Sequence, residues 1–359
     1  MKIGLITIHD TKNYGSLAQT IGTYKALEQL GWDVELIDYK CLAIYNREYE
    51  PFACNWKKPL HFINWLLTMP QRRKKLANYQ NVLRSECKMS PRWDRFSIKE
   101  ANRRYDAYIV GSDIVWGFKI TGHDLSYMLD FAPPEKLKIA FSASVGDKWQ
   151  EVDLPKVKEL LSQFKYISTR EIQAAEWVKT LINKDVPVTC DPTTLFDMKF
   201  WSQYKDDSIL PKSKYVLTYM GPDNQQDIKD ALAYGKAHNL PVYAINSGYK
   251  LILGVKFVMP MNFGQWISLL TNAEMTFTGS FHGMMYSLYF HRNFFFYGRG
   301  HSNSRLESIA KVCNVENRLG TVENIKADNE IDWSYVDKAL LKKREESFNY
   351  LKGIFNTNV

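Results

Sequence analysis

The sequence has no C-x-x-C pair, and its five cysteines, Cys41, Cys54, Cys87, Cys190 and Cys313, are scattered and odd in number. That pattern excludes a disulfide framework and fits a reducing compartment. No apolar run is long enough to span a bilayer, the longest lying near Phe62 to Met69. The opening residues lack the layout of a signal peptide, and Ile3 to Ile8 reads as a first strand, so the expectation is a cytoplasmic protein. The glycine fingerprints G-x-G-x-x-G and G-x-x-x-x-G-K-[ST] are both missing, which leaves no standard nucleotide motif. There is no Asp-x-Asp pair and no dense His/Cys/Asp cluster, so no metal site is indicated. Zinc and RNA-binding signatures are absent as well, and nucleic acid is not an expected partner. Internal repeats and low-complexity tracts are also lacking.

What is present describes an ordinary globular chain. Hydrophobic residues make up 45% and aromatics 14% of 359 residues, enough for two cores of normal size. A formal charge of +8 favours anionic partners such as phosphates, carboxylates or an acidic lipid surface.

The pass along the chain predicts an α/β rhythm. Lys2 to Ile8 reads as a strand, His9 to Gly15 as a polar loop, Ser16 to Leu30 as a helix and Val34 to Ile37 as a second strand. Residues 41–100 interrupt this with two expected helices carrying Lys57, Lys58, Phe62, Trp65, Leu66, Leu67 and Arg72 to Lys75. That segment is either a solvated basic face or a surface for docking on a membrane or an anionic acceptor. Strands follow at Tyr105 to Val110, Lys138 to Phe141 and Tyr166 to Thr169, with a further one expected at Val186 to Thr189. The second α/β unit starts at Tyr215. Its expected elements are helix Gln225 to His238, strand Val242 to Ile245, helix Phe263 to Leu270 and helix Asn303 to Cys313. The expected domains are 1–204 with the helical insertion 41–100, then 212–325, then a helix over 330–359 packing back across the junction.

The centre of the second unit is Ala273 to Phe296. Met275 to Thr278 is a short buried strand, Gly279 and Ser280 break it, and Phe281, Met284, Met285, Leu288 and Tyr289 recur at helical spacing. Ser280 suits the N-cap, which sets His282 at a helix N-terminus on the carboxyl side of a strand. Parallel sheets bind ligands at that edge, and a helix N-terminus favours an anion.

Five segments resemble the polysaccharide pyruvyl transferase family, in order and over nearly the whole chain. They are Asn13 to Gln19, Tyr105 to Trp116, Ile167 to Glu171, Thr278 to Gly283, and Asn303 to Arg305 opening a helix. The resemblance implies two Rossmann-like domains facing across a cleft, similar to GT-B glycosyltransferases, and a reaction without metal or cofactor. It also implies transfer of the pyruvyl group of phosphoenolpyruvate, as co-substrate, onto two hydroxyls of a sugar, forming a cyclic ketal in a capsular or cell-wall glycan.

Phosphoenolpyruvate carries a carboxylate and a phosphate, so Arg170, Phe281, His282, Gly283, Arg299 and Arg305 are the expected donor-binding residues. His282 is the expected catalytic proton carrier, because histidine titrates in the useful range. Asn13, Tyr14, Ser112, Asp113 and Trp116 are the expected acceptor-binding residues. Structural alternatives stay open for five of them: a helix-capping or partly buried His282, a domain-interface ion pair of Arg170, for example with Glu171, a solvated or helix-surface Arg299 and Arg305, and a turn-capping Asp113. His301 is a further histidine of interest. The other expected partners are a glycan acceptor, including a lipid-linked one, and the inner membrane face through residues 57–75. A sugar-nucleotide-dependent GT-B glycosyltransferase and a non-catalytic glycan- or polyanion-binding module are the alternatives.

Overall fold

The structure, a computed structural model, describes residues 1–49, 59–245, 252–298 and 303–358. The chain divides into two compact units. Unit 1 comprises Met1–Lys58, Tyr79–Leu195 and Lys343–Val359; unit 2 comprises Pro59–Asn78 and Phe196–Lys342.

Unit 1 is built on strands β1 (Lys2–Ile6), β2 (Asp33–Leu36), β3 (Tyr39–Lys40), β4 (Trp93–Asp94), β5 (Ala107–Val110), β6 (Leu137–Ala143) and β7 (Tyr166–Thr169). Among the described residues, five of these form one parallel sheet in the order β2-β1-β5-β6-β7, and β3 and β4 pair separately. The central strand β5 reads Ala-Tyr-Ile-Val and is buried throughout, as a parallel strand covered on both faces must be. Its helices include α1 (Tyr14–Gln29) and α2 (Leu42–Tyr49). Then comes α3 (Pro59–Glu86), whose first twenty residues belong to unit 2, and after it α4 (Leu154–Leu161) and α5 (Ile172–Ile182). The core gathers Ile6, Ile37, Tyr108, Trp116, Ala140 and Phe164.

Unit 2 holds β8 (Val216–Tyr219), β9 (Val242–Ile245), β10 (Val255–Val258), β11 (Met275–Thr278) and β12 (Phe294–Phe296), all parallel, in the order β10-β9-β8-β11-β12. The helices include α6 (Gln226–Ala237), α7 (Phe263–Thr271), α8 (Phe281–Tyr289), α9 (Asn303–Cys313) and α10 (Trp333–Asn358). Val216, Met275, Phe277 and Phe295 make its sheet core. Residues 343–358 of α10 belong to unit 1, where Arg344 donates to the Thr194 carbonyl at 2.9 Å and Phe355 stacks on Trp32 at 5.7 Å.

Two differences from the sequence reading have simple causes. Val186 to Thr189 makes only an isolated bridge, Val188 to Thr169, because it passes the sheet edge without a second partner. β10 was not anticipated, since Val255-Lys256-Phe257-Val258 is too short for a periodic signal.

Candidate functional site

In each sheet the chain runs outward from one strand and later returns to pair on that strand's other side. In unit 1 this reversal falls between β1 and β5, and in unit 2 between β8 and β11. Open parallel sheets take ligands beyond the carboxyl ends of their strands at such a reversal. Three of the five segments singled out in the sequence, Asn13 to Gln19, Tyr105 to Trp116 and Thr278 to Gly283, lie at these two places; Ile167 to Glu171 ends the edge strand β7, and Asn303 to Arg305 opens α9.

In unit 2, β11 ends at Thr278 and α8 begins at Phe281. The Ser280 hydroxyl caps the helix by accepting the Gly283 N–H at 3.2 Å. The Thr278 hydroxyl donates to the Tyr219 carbonyl at 2.7 Å and accepts the Ser280 N–H at 3.0 Å, tying the turn to the end of β8. Gly283 is required by space: a Cβ there would lie 2.5 Å from the Thr278 hydroxyl oxygen and 3.1 Å from the Tyr219 ring. His282 is half-buried in the first turn, its ring edge-on to Phe281 with centroids 5.3 Å apart. Arg305 is half-buried in the first turn of α9. Arg299 and His301 lie outside the described residues.

In unit 1 the loops after β1 and β5 meet. Ser16 donates its hydroxyl to Asp113, whose other carboxylate oxygen accepts the Ile114 N–H at 2.8 Å. Asp113 has φ 79°, a left-handed conformation uncommon for a residue with a side chain and one that recurs at functional turns. Asn13 is exposed and caps α1, accepting the Gly15 N–H at 2.8 Å and the Ser16 N–H at 3.3 Å. Tyr14 is buried against Tyr79, with ring centroids 5.4 Å apart. Ser112 is fully buried, its carbonyl accepting the Thr7 hydroxyl at 2.7 Å.

Trp116 is 0% exposed, donates its indole N–H to the Tyr127 carbonyl at 3.0 Å and packs on Phe164. That burial leaves no ring face for an acceptor, so Trp116 is a core residue. Arg170 is buried too; its Nη1 is 2.7 Å from Asp191 and its Nε 3.8 Å from Glu171. Burial disfavours the Arg170 cation, but Asp191, Glu171 and Asp113 outweigh it and hold the group above its usual range. Arg170 thus has carboxylates of its own unit around it, Asp191 being nearer than Glu171. Three residues missed by sequence reasoning complete this region: Ser16, Asp191 and Ser144, the last donating to Glu171. Ser16 stood inside the Asn13 to Gln19 segment and Asp191 before Pro192, so only their partners were hidden. Among the described residues, no group of three or more His, Cys, Asp or Glu is placed to hold a metal ion.

These features define a protein of two Rossmann-like α/β units, the fold class expected from the sequence. Solved structures with the same fold include the UDP-GlcNAc 2-epimerase of Neisseria meningitidis bound to UDP-GlcNAc, at TM-score 0.53 and 10% identity, covering 100% of both chains. The S. aureus MnaA–UDP co-structure matches at TM-score 0.54 and 12% identity, covering 99% of this chain and 97% of that one. A putative UDP-N-acetylglucosamine 2-epimerase of Listeria monocytogenes matches at 0.51 and 12%, covering 98% and 91%. At such identities the likeness establishes the fold alone. No curated protein sequence matches the chain significantly. The family model for polysaccharide pyruvyl transferase matches residues 13–301, and the chain belongs to that family.

Proposed function

We propose that the protein transfers the pyruvyl group of phosphoenolpyruvate to two hydroxyls of a glycan. The observation that carries this reading is the position of His282 in the first turn of α8, at the strand reversal of unit 2, in a chain of this family. A helix N-terminus favours the donor's anionic groups. Arg305, and Arg299 by its place in the sequence, supply guanidinium groups for carboxylate or phosphate.

In the reaction, one hydroxyl oxygen adds to C2 of the donor as C3 takes a proton. The second hydroxyl then displaces phosphate at C2 and closes the ketal. Of the two hydroxyl protons released, one balances the new methyl group and the other leaves with phosphate. His282 relays the proton that reaches C3. Asp113 and Asn13 orient the acceptor hydroxyls. The whole proceeds with phosphoenolpyruvate as co-substrate and no cofactor, on the cytoplasmic side of the membrane.

A lipid-linked acceptor would bring the enzyme to a membrane, and α3 carries a suitable face. Ile63, Leu66 and Leu67 are exposed at helical spacing, with Arg73 and Lys74 exposed beyond them. The expected basic run is divided: Lys75 is buried, and Arg72 turns back to the Thr68 hydroxyl at 2.9 Å. Lys57 and Lys58 lie outside the described residues, as do the side chains of Phe62 and Trp65. No described helix is long and apolar enough to cross a membrane.

Thermal shift tests the donor. Phosphoenolpyruvate should raise the melting temperature and UDP-galactose should not, because only a ligand of the native state stabilises it. Stabilisation by UDP-galactose alone would support the sugar-nucleotide transferase instead.

A further inference from the structure

Unit 1 contains a groove of about 550 Å³ that the candidate site does not use. It lies between the first turn of α2, the β3–β4 pair and the short helix Phe118–Thr121 with the residues after it. This volume falls within the ordinary range for small-molecule sites. Phe96 stands at its rim 93% exposed. The ring is held out by a fixed turn: the Asp94 carboxylate accepts the Phe96 N–H at 3.0 Å, the Ser97 N–H at 3.0 Å and the Ser97 hydroxyl at 2.9 Å.

The rest of the groove is polar and rigid. Arg95 makes a bidentate pair with Asp130 at 2.7 and 2.5 Å, and Asp124 accepts the Tyr39 hydroxyl at 2.6 Å. Lys40 sits over the Tyr45 ring at 3.8 Å, and Asn46 is exposed one turn into α2. Gly122, at φ 66°, forms part of the floor, where a Cβ would meet the Ala43 Cβ at 2.6 Å. Lys40 and Arg95 stand with Asp94 and Asp124 in the lining, and Arg95 is already paired with Asp130, so the groove has no net preference for an anion. Four charged residues in its lining also set it apart from protein interfaces, whose cores are depleted of charge. One exposed aromatic face beside balanced hydroxyl-binding groups matches an uncharged pyranose ring, apolar on its faces and polar on its edge.

α2 joins this groove to the acceptor side of the candidate site. Leu42, Ala43 and Asn46 line the groove at one end. At the other end the Tyr49 hydroxyl donates to Asp10 at 2.5 Å, and Lys12 donates to the Glu48 carbonyl at 3.0 Å, next to Asn13. Eight helical residues span about 12 Å, a distance a short oligosaccharide bridges. We propose that this groove is a glycan subsite, holding an uncharged sugar unit of the acceptor on Phe96 while a neighbouring unit reaches the loops of Asn13 and Asp113. The proposal rests on the glycan-acceptor reading above.

The test is an array of uncharged bacterial oligosaccharides and their component monosaccharides, probed with the full chain and with Phe96→Ala and Asn46→Ala. Hits are then titrated by calorimetry, and phosphoenolpyruvate is titrated separately. Wild type should bind at least one oligosaccharide more tightly than its monosaccharides. Phe96→Ala should weaken that binding about tenfold, with melting temperature and phosphoenolpyruvate affinity unchanged. Absence of any oligosaccharide hit, or equal binding by Phe96→Ala, would overturn the subsite. A wild-type dimer lost in Phe96→Ala, without sugar binding, would assign the patch to a second copy and also overturn it. Phe96-dependent sugar binding without any affinity for phosphoenolpyruvate would leave the subsite standing and reject the pyruvyl donor.

Discussion

The Ser280 cap and the Thr278 hydroxyl fix the turn from which His282 projects, and neither bond uses its imidazole. His282→Ala or His282→Asn should therefore cut turnover by roughly 10²–10⁴ with circular dichroism and melting temperature unchanged. Near-wild-type turnover in a folded His282→Ala enzyme would end the assignment. Arg170 behaves in the opposite way. Its partner Asp191 is buried and also accepts the Thr193 N–H at 3.0 Å and hydroxyl at 2.7 Å. Asp191→Ala should cost about 3–5 kcal/mol in urea unfolding, since it takes the nearest carboxylate from a buried cation; an unchanged midpoint would show the pair to be energetically idle. At this scale the sequence was partly legible. Residue type and strand-end position marked His282, Asp113 and Arg170. Which charges are already balanced, and that Trp116 faces the core, depends on neighbours distant in the chain and left no local mark.

The decisive element is the turn from β11 into α8. Its start was readable because Ser280 is a good N-cap and the apolar spacing changes from strand to helix beyond it. Gly283 carries a further constraint that appears only when β8 is seen beside β11. Gly283→Ala should destabilise the protein by about 1–3 kcal/mol, because the new methyl must displace the Thr278 hydroxyl or the Tyr219 ring. Chemical unfolding measures the loss, and turnover should fall with it as the first turn of α8 moves. Full stability and activity in Gly283→Ala would mean that the turn is looser than its geometry implies. The very short strands β3, β4 and β10 went unread for a different reason: two to four residues carry no period, and their pairing is set by the strands around them.

The two sheets share one plan, and in each the chain reverses beside the segment that resembles the family. Alternating strands and helices made the α/β class legible, whereas strand order, and hence the reversal points, came only with the structure. For the molecule as a whole, the exposed face of α3 predicts weak binding to anionic vesicles. Each cation near such a surface contributes about 1 kcal/mol. Sedimentation with phosphatidylglycerol vesicles should show binding at low salt that falls at high salt and is lost in the Arg73→Glu, Lys74→Glu double variant. Binding unaffected by that variant would place the contact elsewhere.

The central claim is pyruvyl transfer itself, and carbon NMR follows it directly. Phosphoenolpyruvate labelled at C2 is incubated with the enzyme and a pool of unpyruvylated bacterial glycans. The account predicts that the enol carbon signal is replaced by a ketal carbon on the glycan, with one phosphate released per ketal, and that His282→Ala abolishes both. Unchanged phosphoenolpyruvate, with a sugar transferred instead when UDP-sugars are supplied to the same pool, would contradict it.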